Sequence, residues 1–341
     1  GGAESEGPGL DGRGASDMKS IGGAQLLACL EVARRAREGA RPERSVILLA
    51  TSSEETGSEL GMRWILEQHP DLVERFWGVL TEGGAVEVTE AEGVKYWGIE
   101  FAQKRYVDFY LCGPDRQRLE QAGRDLAELA QPLHPLRLTP EVARFLDAYA
   151  PSRHAGRLRA LLADPERLTW DHAAFLDAPL PVQSMLRDEV YLFSLEEALG
   201  GGFRLAGKIH LLPGSDLDEV VDRLLPEHVT HGLGVRVVDD EPPASGSPLD
   251  HPLYRALEDR LLEDRARDAV GPLFLAWKST DARFLRAAGV PVYGFSPFAV
   301  PTPEVVRLVG AAPTEERIAL PGYVEGVALY RQIVEDLVFR E

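Results

Sequence analysis

Ser45-Val46-Ile47-Leu48-Leu49-Ala50 is an unbroken apolar run that stops at Thr51-Ser52-Ser53-Glu54-Glu55-Thr56-Gly57, and the fold is read outward from that junction. A short apolar run ended by small polar residues predicts a strand buried in a parallel sheet. Sites in open α/β sheets gather beyond the carboxyl ends of strands, so the adjacent acids Glu54 and Glu55 fall where chemistry is expected. Upstream, Met18, Ile21, Ala24, Leu27 and Leu30 recur at helical spacing, with Asp17 at the cap position and Gly39 as the stop. Downstream, a helix over 60–68 precedes a strand over 78–80 that runs into Thr81-Glu82-Gly83-Gly84, another acid at a strand end.

Helices alternating with strands argue for a mostly parallel sheet covered by helices. From about residue 103 the pattern changes. Strands are expected over 106–111, 203–212 and 235–238 and helices over 116–129 and 216–225, with an irregular helical insertion at about 131–181. Residues 239–248, Asp-Asp-Glu-Pro-Pro-Ala-Ser-Gly-Ser-Pro, read as a linker. The α/β pattern then returns: a helix over 251–262, a strand over 273–277, Lys278-Ser279-Thr280-Asp281 leading into a helix, a strand over 290–295 and a last helix over 323–337. The economical division is one α/β domain from residues 1–102 and 239–341, interrupted by a smaller α+β domain over 103–238.

With 55 acidic against 37 basic residues in 341, the chain carries a formal charge of −18, which repels nucleic acid and anionic lipid. Its two cysteines, Cys29 and Cys112, form no CxxC pair, so neither a disulfide framework nor a cysteine zinc site is expected and a reducing cytoplasm is the default. No apolar run approaches the ~20 residues that cross a membrane, and no signal peptide is visible.

An adjacent Glu-Glu pair is costly unless compensated, since each carboxylate raises the other's pKa. A divalent ion resolves the conflict: one acid binds the metal and the other stays free as a base, and a pair of metals can share and acidify a water. Alone, Glu54-Glu55 reads as solvated surface, Asp17 as a helix cap and Glu82 as a turn residue; only their combination at strand ends points to a site.

Gly12-Arg13-Gly14-Ala15-Ser16-Asp17-Met18-Lys19, Ser52-Ser53-Glu54-Glu55-Thr56-Gly57 and Leu80-Thr81-Glu82-Gly83-Gly84 resemble, in order, the GRGxxDxK, EE and (D)EG motifs of the dinuclear-zinc exopeptidases and deacylases. That family includes aminoacylases, carboxypeptidases S and G, and the acetylornithine and succinyl-diaminopimelate deacylases. Leu211-Leu212-Pro213-Gly214 resembles the end of its lid domain, and Thr280-Asp281-Ala282-Arg283-Phe284-Leu285 with residues 289–297 resembles its carboxy-terminal catalytic segment. The resemblance implies a phosphorylase/hydrolase-like catalytic domain with a lid that mediates dimerisation, and a small N-acyl amino acid or peptide as substrate. It further implies two zinc ions bridged by Asp17, with Glu55 and Glu82 as further ligands and Glu54 as the general base.

The chain departs from the pattern at its histidines. No His-x-Asp precedes Arg13, Ala312 stands at the position of the family's carboxy-terminal histidine ligand, and His210 replaces the arginine before Leu211-Leu212-Pro213-Gly214. Cys112-Gly113-Pro114-Asp115 takes the place of the lid's substrate histidine, and the remaining histidines, His228 and His231 included, match no ligand motif. Zinc favours imidazole or thiolate, so weak or absent zinc binding is expected. His210 is expected to face solvent. Two readings stand: a metal-dependent amide hydrolase, or a catalytically inactive family member kept as a dimerising or ligand-binding module.

Overall fold

A computed structural model describes residues 9–15, 17–89, 93–129, 135–149, 163–178, 180–243, 245–264, 269–301 and 316–339. Its strands are β1 (Gly9–Asp11), β2 (Val79–Thr81), β3 (Ala85–Thr89), β4 (Gly93–Gln103), β5 (Arg105–Gly113), β6 (Glu189–Glu197), β7 (Phe203–Leu211), β8 (Gly234–Asp240), β9 (Ala269–Leu275), β10 (Val292–Gly294), β11 (Ala299–Pro301) and β12 (Arg317–Ala319).

Six of them form a mixed sheet in the order β11-β3-β4-β10-β2, with β9 on β4. The pairings of β2 with β10, β3 with β11 and β4 with β9 are parallel, and β4 runs antiparallel to β3 and β10. The helix Lys19–Arg37 buries Ile21, Ala24, Ala28 and Val32. These pack with Leu329, Tyr330 and Ile333 of the last helix, Leu320–Val338, and with Trp97, Ile99, Phe101, Tyr293 and Phe295 of the sheet region. Burial of such side chains is the main stabilising term, ~1.5–3 kcal/mol each.

A second, four-stranded antiparallel sheet, β6-β7-β5-β8, has its own core. Val107, Phe109, Leu111, Ile209 and Leu211 alternate along β5 and β7 and meet Leu119, Ala122 and Leu126 of the helix Arg116–Leu129. Its other face carries Tyr106 and His210, stacked with ring centroids 3.7 Å apart. Contrary to expectation, His210 does not look out to solvent. It lies between the rings of Tyr106 and Tyr191, and burial first, then Lys104, pushes its pKa down to about 3.

Two local expectations fail. Residues 45–50 form no strand, and Val46, Ile47 and Leu48 are exposed, while Leu49 alone packs against the small cluster of Met62, Phe284, Leu285 and Val292. A ladder joins two segments, and among the described residues no strand is hydrogen-bonded in a ladder to this one. Asp17 caps no helix; Met18 is the N-cap residue, without a side-chain cap, and the Asp17 carboxylate is turned elsewhere. Ala312, His134 and His154 lie outside the described residues. Among the described residues no helix is long and apolar enough to cross a membrane.

Candidate active site

The segment between β9 and the helix Ala282–Ala287 organises the site, because its last four side chains each take a different anchor. Lys278 Nζ donates to Asp17 Oδ2 at 2.9 Å and to Glu82 Oε2 at 2.8 Å. Ser279 Oγ donates to both oxygens of Glu241, at 2.8 and 3.1 Å. Thr280 Oγ1 donates to Gln103 Oε1 at 3.0 Å. Asp281 accepts from Thr51 Oγ1 at 3.2 Å and from the fully buried Ser58 hydroxyl, tying the Glu54 loop to the segment.

That loop is shaped by its backbone. Ser53 and Gly57 both lie at positive φ, 63° and 90°, flanking the single turn of 3-10 helix that carries Glu54 and Glu55. Gly61 admits no side chain, since a Cβ there would sit 2.0 Å from Ser52 O. Glu82 directly follows β2, where a Cβ on Gly294 of the neighbouring β10 would come within 2.4 Å of its carbonyl oxygen. Asp17 is held by Glu316, whose two carboxylate oxygens accept from Gly14 N and Asp17 N, both at 3.0 Å.

Asp17, Glu54 and Glu82 thus share one edge of the molecule, with Lys278 bridging Asp17 and Glu82 and Arg283 lying near both Glu54 and Glu241. Burial raises the Glu54 carboxyl to about 7, with Glu82 adding to the rise and Arg283, 3.6 Å away, opposing it. Burial likewise raises Glu82, against the pull of Lys278. Arg283 also lies 3.0 Å from Glu241. Glu55, by contrast, points to solvent, and no described residue hydrogen-bonds to it or pairs with it.

Lys278, Arg283, Glu241 and Glu316 were not singled out by sequence. Glu241 lay inside an acidic, proline-rich stretch that reads as a solvated linker, and it is buried. The available signals are the Lys-Ser-Thr-Asp run, four polar residues directly after an apolar strand, and the Thr280–Leu285 resemblance, which contains Arg283.

The two-zinc centre implied by the resemblance does not fit these residues. No described histidine hydrogen-bonds to or pairs with Asp17, Glu54, Glu55 or Glu82. Nor does any group of three or more His, Cys, Asp and Glu among the described residues form a metal-holding arrangement. An ammonium already stands between Asp17 and Glu82.

The fold has solved counterparts. An M20 family metallo-carboxypeptidase, Sso-CP2 from Sulfolobus solfataricus, superposes with a TM-score of 0.60 at 14% identity, covering 98% of this chain and 78% of that one. Human carnosine dipeptidase 1 gives 0.58 at 14% identity, covering 98% and 75%. The dipeptidase Dug1p from Saccharomyces cerevisiae gives 0.53 at 13% identity, covering 83% and 64%. At such identities the likeness is one of fold. No curated protein sequence matches the chain. The sequence itself, however, matches the peptidase family M20/M25/M40 over residues 3–336, nearly its whole length. The chain therefore belongs to peptidase family M20/M25/M40.

Proposed function

We propose that this chain hydrolyses the amide bond of N-acyl amino acids or short peptides at the edge built by Asp17, Glu54 and Glu82. Family membership supports the reaction class. The observation that carries the reading is the setting of Glu54, half-buried beside Glu82 and 3.6 Å from the Arg283 guanidinium. Amide hydrolysis needs a group that takes a proton from water and returns it to the leaving amine, and positive charge near the developing oxyanion. Glu54 fills the first role, and Arg283 and Lys278 supply the charge. That solved counterparts include a carboxypeptidase and dipeptidases favours short peptides with free ends. We assign residues 103–238 as the lid, with dimerisation through it, the remainder as the catalytic domain, and the cytoplasm as location.

A second reading is favoured by Lys278, which already hydrogen-bonds both Asp17 and Glu82: the site then holds such ligands without cleaving them. One experiment separates the two. A panel of N-acyl amino acids and dipeptides is incubated with the protein, with and without added zinc, beside Glu54→Gln. Hydrolysis that falls by about 10²–10⁴-fold in the variant supports the first reading. Calorimetric binding without turnover supports the second, and turnover indifferent to Glu54→Gln overturns the role given to Glu54.

A further inference from the structure

We propose that the Lys278 ammonium is the resident cation of this site, occupying between Asp17 and Glu82 the position that a divalent ion would need. It contacts Asp17 Oδ2 at 2.9 Å and Glu82 Oε2 at 2.8 Å, so one ammonium bridges both acids. Glu82 has only 7% of its side chain exposed, and a carboxylate so buried requires a partner. A zinc ion bound to the same two oxygens would sit about 2.0–2.2 Å from each. That locus overlaps the ammonium, and two cations do not share it.

The backbone from which the Lys278 side chain extends is held in place. The next three residues are each pinned: Ser279 to Glu241, Thr280 to Gln103, and Asp281 to Thr51 and Ser58. The fold therefore fixes where the Lys278 side chain starts, and its contacts to Asp17 and Glu82 place the amine. Oxygen donors suit hard ions better than zinc, and no imidazole or thiolate among the described residues joins this pair to compensate. The site is thus one in which a side chain has taken over the structural task of a metal: holding Asp17, on the segment before the first long helix, against Glu82 at the end of β2.

The inference concerns the same carboxylates as the proposed function but does not depend on hydrolysis, and a protein that binds without cleaving leaves it standing. The test is metal content and thermal stability. Wild-type protein, dialysed against a chelator, is titrated with zinc and with manganese by calorimetry, and its Tm is recorded with each ion and with EDTA. The expected result is no stoichiometric binding and no shift in Tm. Lys278→Ala is expected to lower Tm by several degrees and to recover part of the loss on adding manganese or zinc, because the uncovered acids then accept an ion. Stoichiometric binding by the wild type, with a Tm that rises with zinc and falls with EDTA, overturns the proposal. So does a Lys278→Ala protein as stable as wild type. If Lys278→Ala does not fold, the wild-type titration decides alone, and Lys278→Arg, which keeps the charge, is expected to fold and to remain indifferent to metal.

Discussion

Arg283 holds its guanidinium 3.6 Å from the Glu54 carboxylate, the nearest positive charge to an acid that burial and Glu82 both drive toward its neutral form. The Glu54 pKa of about 7 in the folded chain has a consequence for stability. In the unfolded chain the group titrates near ~4.3. As pH rises between these values the unfolded chain gives up a proton that the folded chain keeps, so unfolding is favoured. The contribution of Glu54 is therefore full below about pH 4 and lost as pH rises through about 7. Glu54→Gln should flatten the stability profile across that window and stabilise the protein at pH 8 by about 1–3 kcal/mol. Urea denaturation at a series of pH values measures this, and parallel profiles for the two proteins would refute it.

Behind the site, Arg286 grips Glu100 through two hydrogen bonds of 2.7 Å, with side chains 2% and 0% exposed. Arg286 also donates to Ser247 Oγ and Val292 O, so one guanidinium joins β4, the 245–248 stretch and β10. Arg286→Met leaves a buried carboxylate without its partner and should cost about 3–5 kcal/mol. The double replacement Glu100→Leu with Arg286→Met should cost less than the single one, because no uncompensated charge remains. A double-mutant cycle by chemical denaturation gives both numbers.

That pair also explains what the sequence could and could not disclose. The helix Arg116–Leu129 was readable to the residue, since its apolar spacing is a property of one segment alone. β4 went unread. Its run Gly93-Val-Lys-Tyr-Trp-Gly-Ile-Glu-Phe-Ala-Gln103 is broken by Glu100, whose burial makes sense only through Arg286, 186 residues away. The same limit hid the centre of the site. The acids Asp17, Glu54 and Glu82 stood out by their motifs, but Lys278 acquires its meaning from partners 261 and 196 residues distant. Residues 45–50 show the converse: an apolar run becomes a strand only when its backbone joins a ladder, and here it joins none among the described residues.

Gly294 offers a steric test of how Glu82 is positioned. A Cβ at residue 294 would lie 2.4 Å from the Glu82 carbonyl oxygen and 2.9 Å from the Glu100 Cβ. Neither neighbour can withdraw, the one being backbone at a strand end and the other sheet-bound and buried. Gly294→Ala should therefore push β10 from Glu82 and cost about 1–3 kcal/mol. Gly289→Ala, where nothing lies within 4 Å but φ is +81°, separates crowding from backbone strain. It should show only the ~1–2 kcal/mol cost of the left-handed conformation. Its effect should stay local to the helix end, whereas Gly294→Ala should also loosen β10 from β2, seen as faster exchange of the Phe295 amide, which donates to Thr81 O.

Glu316 gives the most local prediction. Its two oxygens each accept one backbone amide, Gly14 N and Asp17 N at 3.0 Å, and Gly12 N donates to its carbonyl at 2.9 Å. The loop that presents Asp17 is thus fastened to β1 and β12 by a single acid. Glu316→Gln keeps the shape but leaves one acceptor where there were two, and the new amide group faces an N–H that it cannot accept. An unmet donor of this kind costs about 1–3 kcal/mol. Since 1.4 kcal/mol is a factor of ten, exchange of the Gly14 and Asp17 amides should speed up by about 5–140-fold. Amides of the last helix, around Leu329 and Ile333 in the main core, should keep their protection. If both regions exchange faster by the same factor, Glu316 serves global stability and not the placement of Asp17; if neither changes, the two hydrogen bonds do not hold the loop.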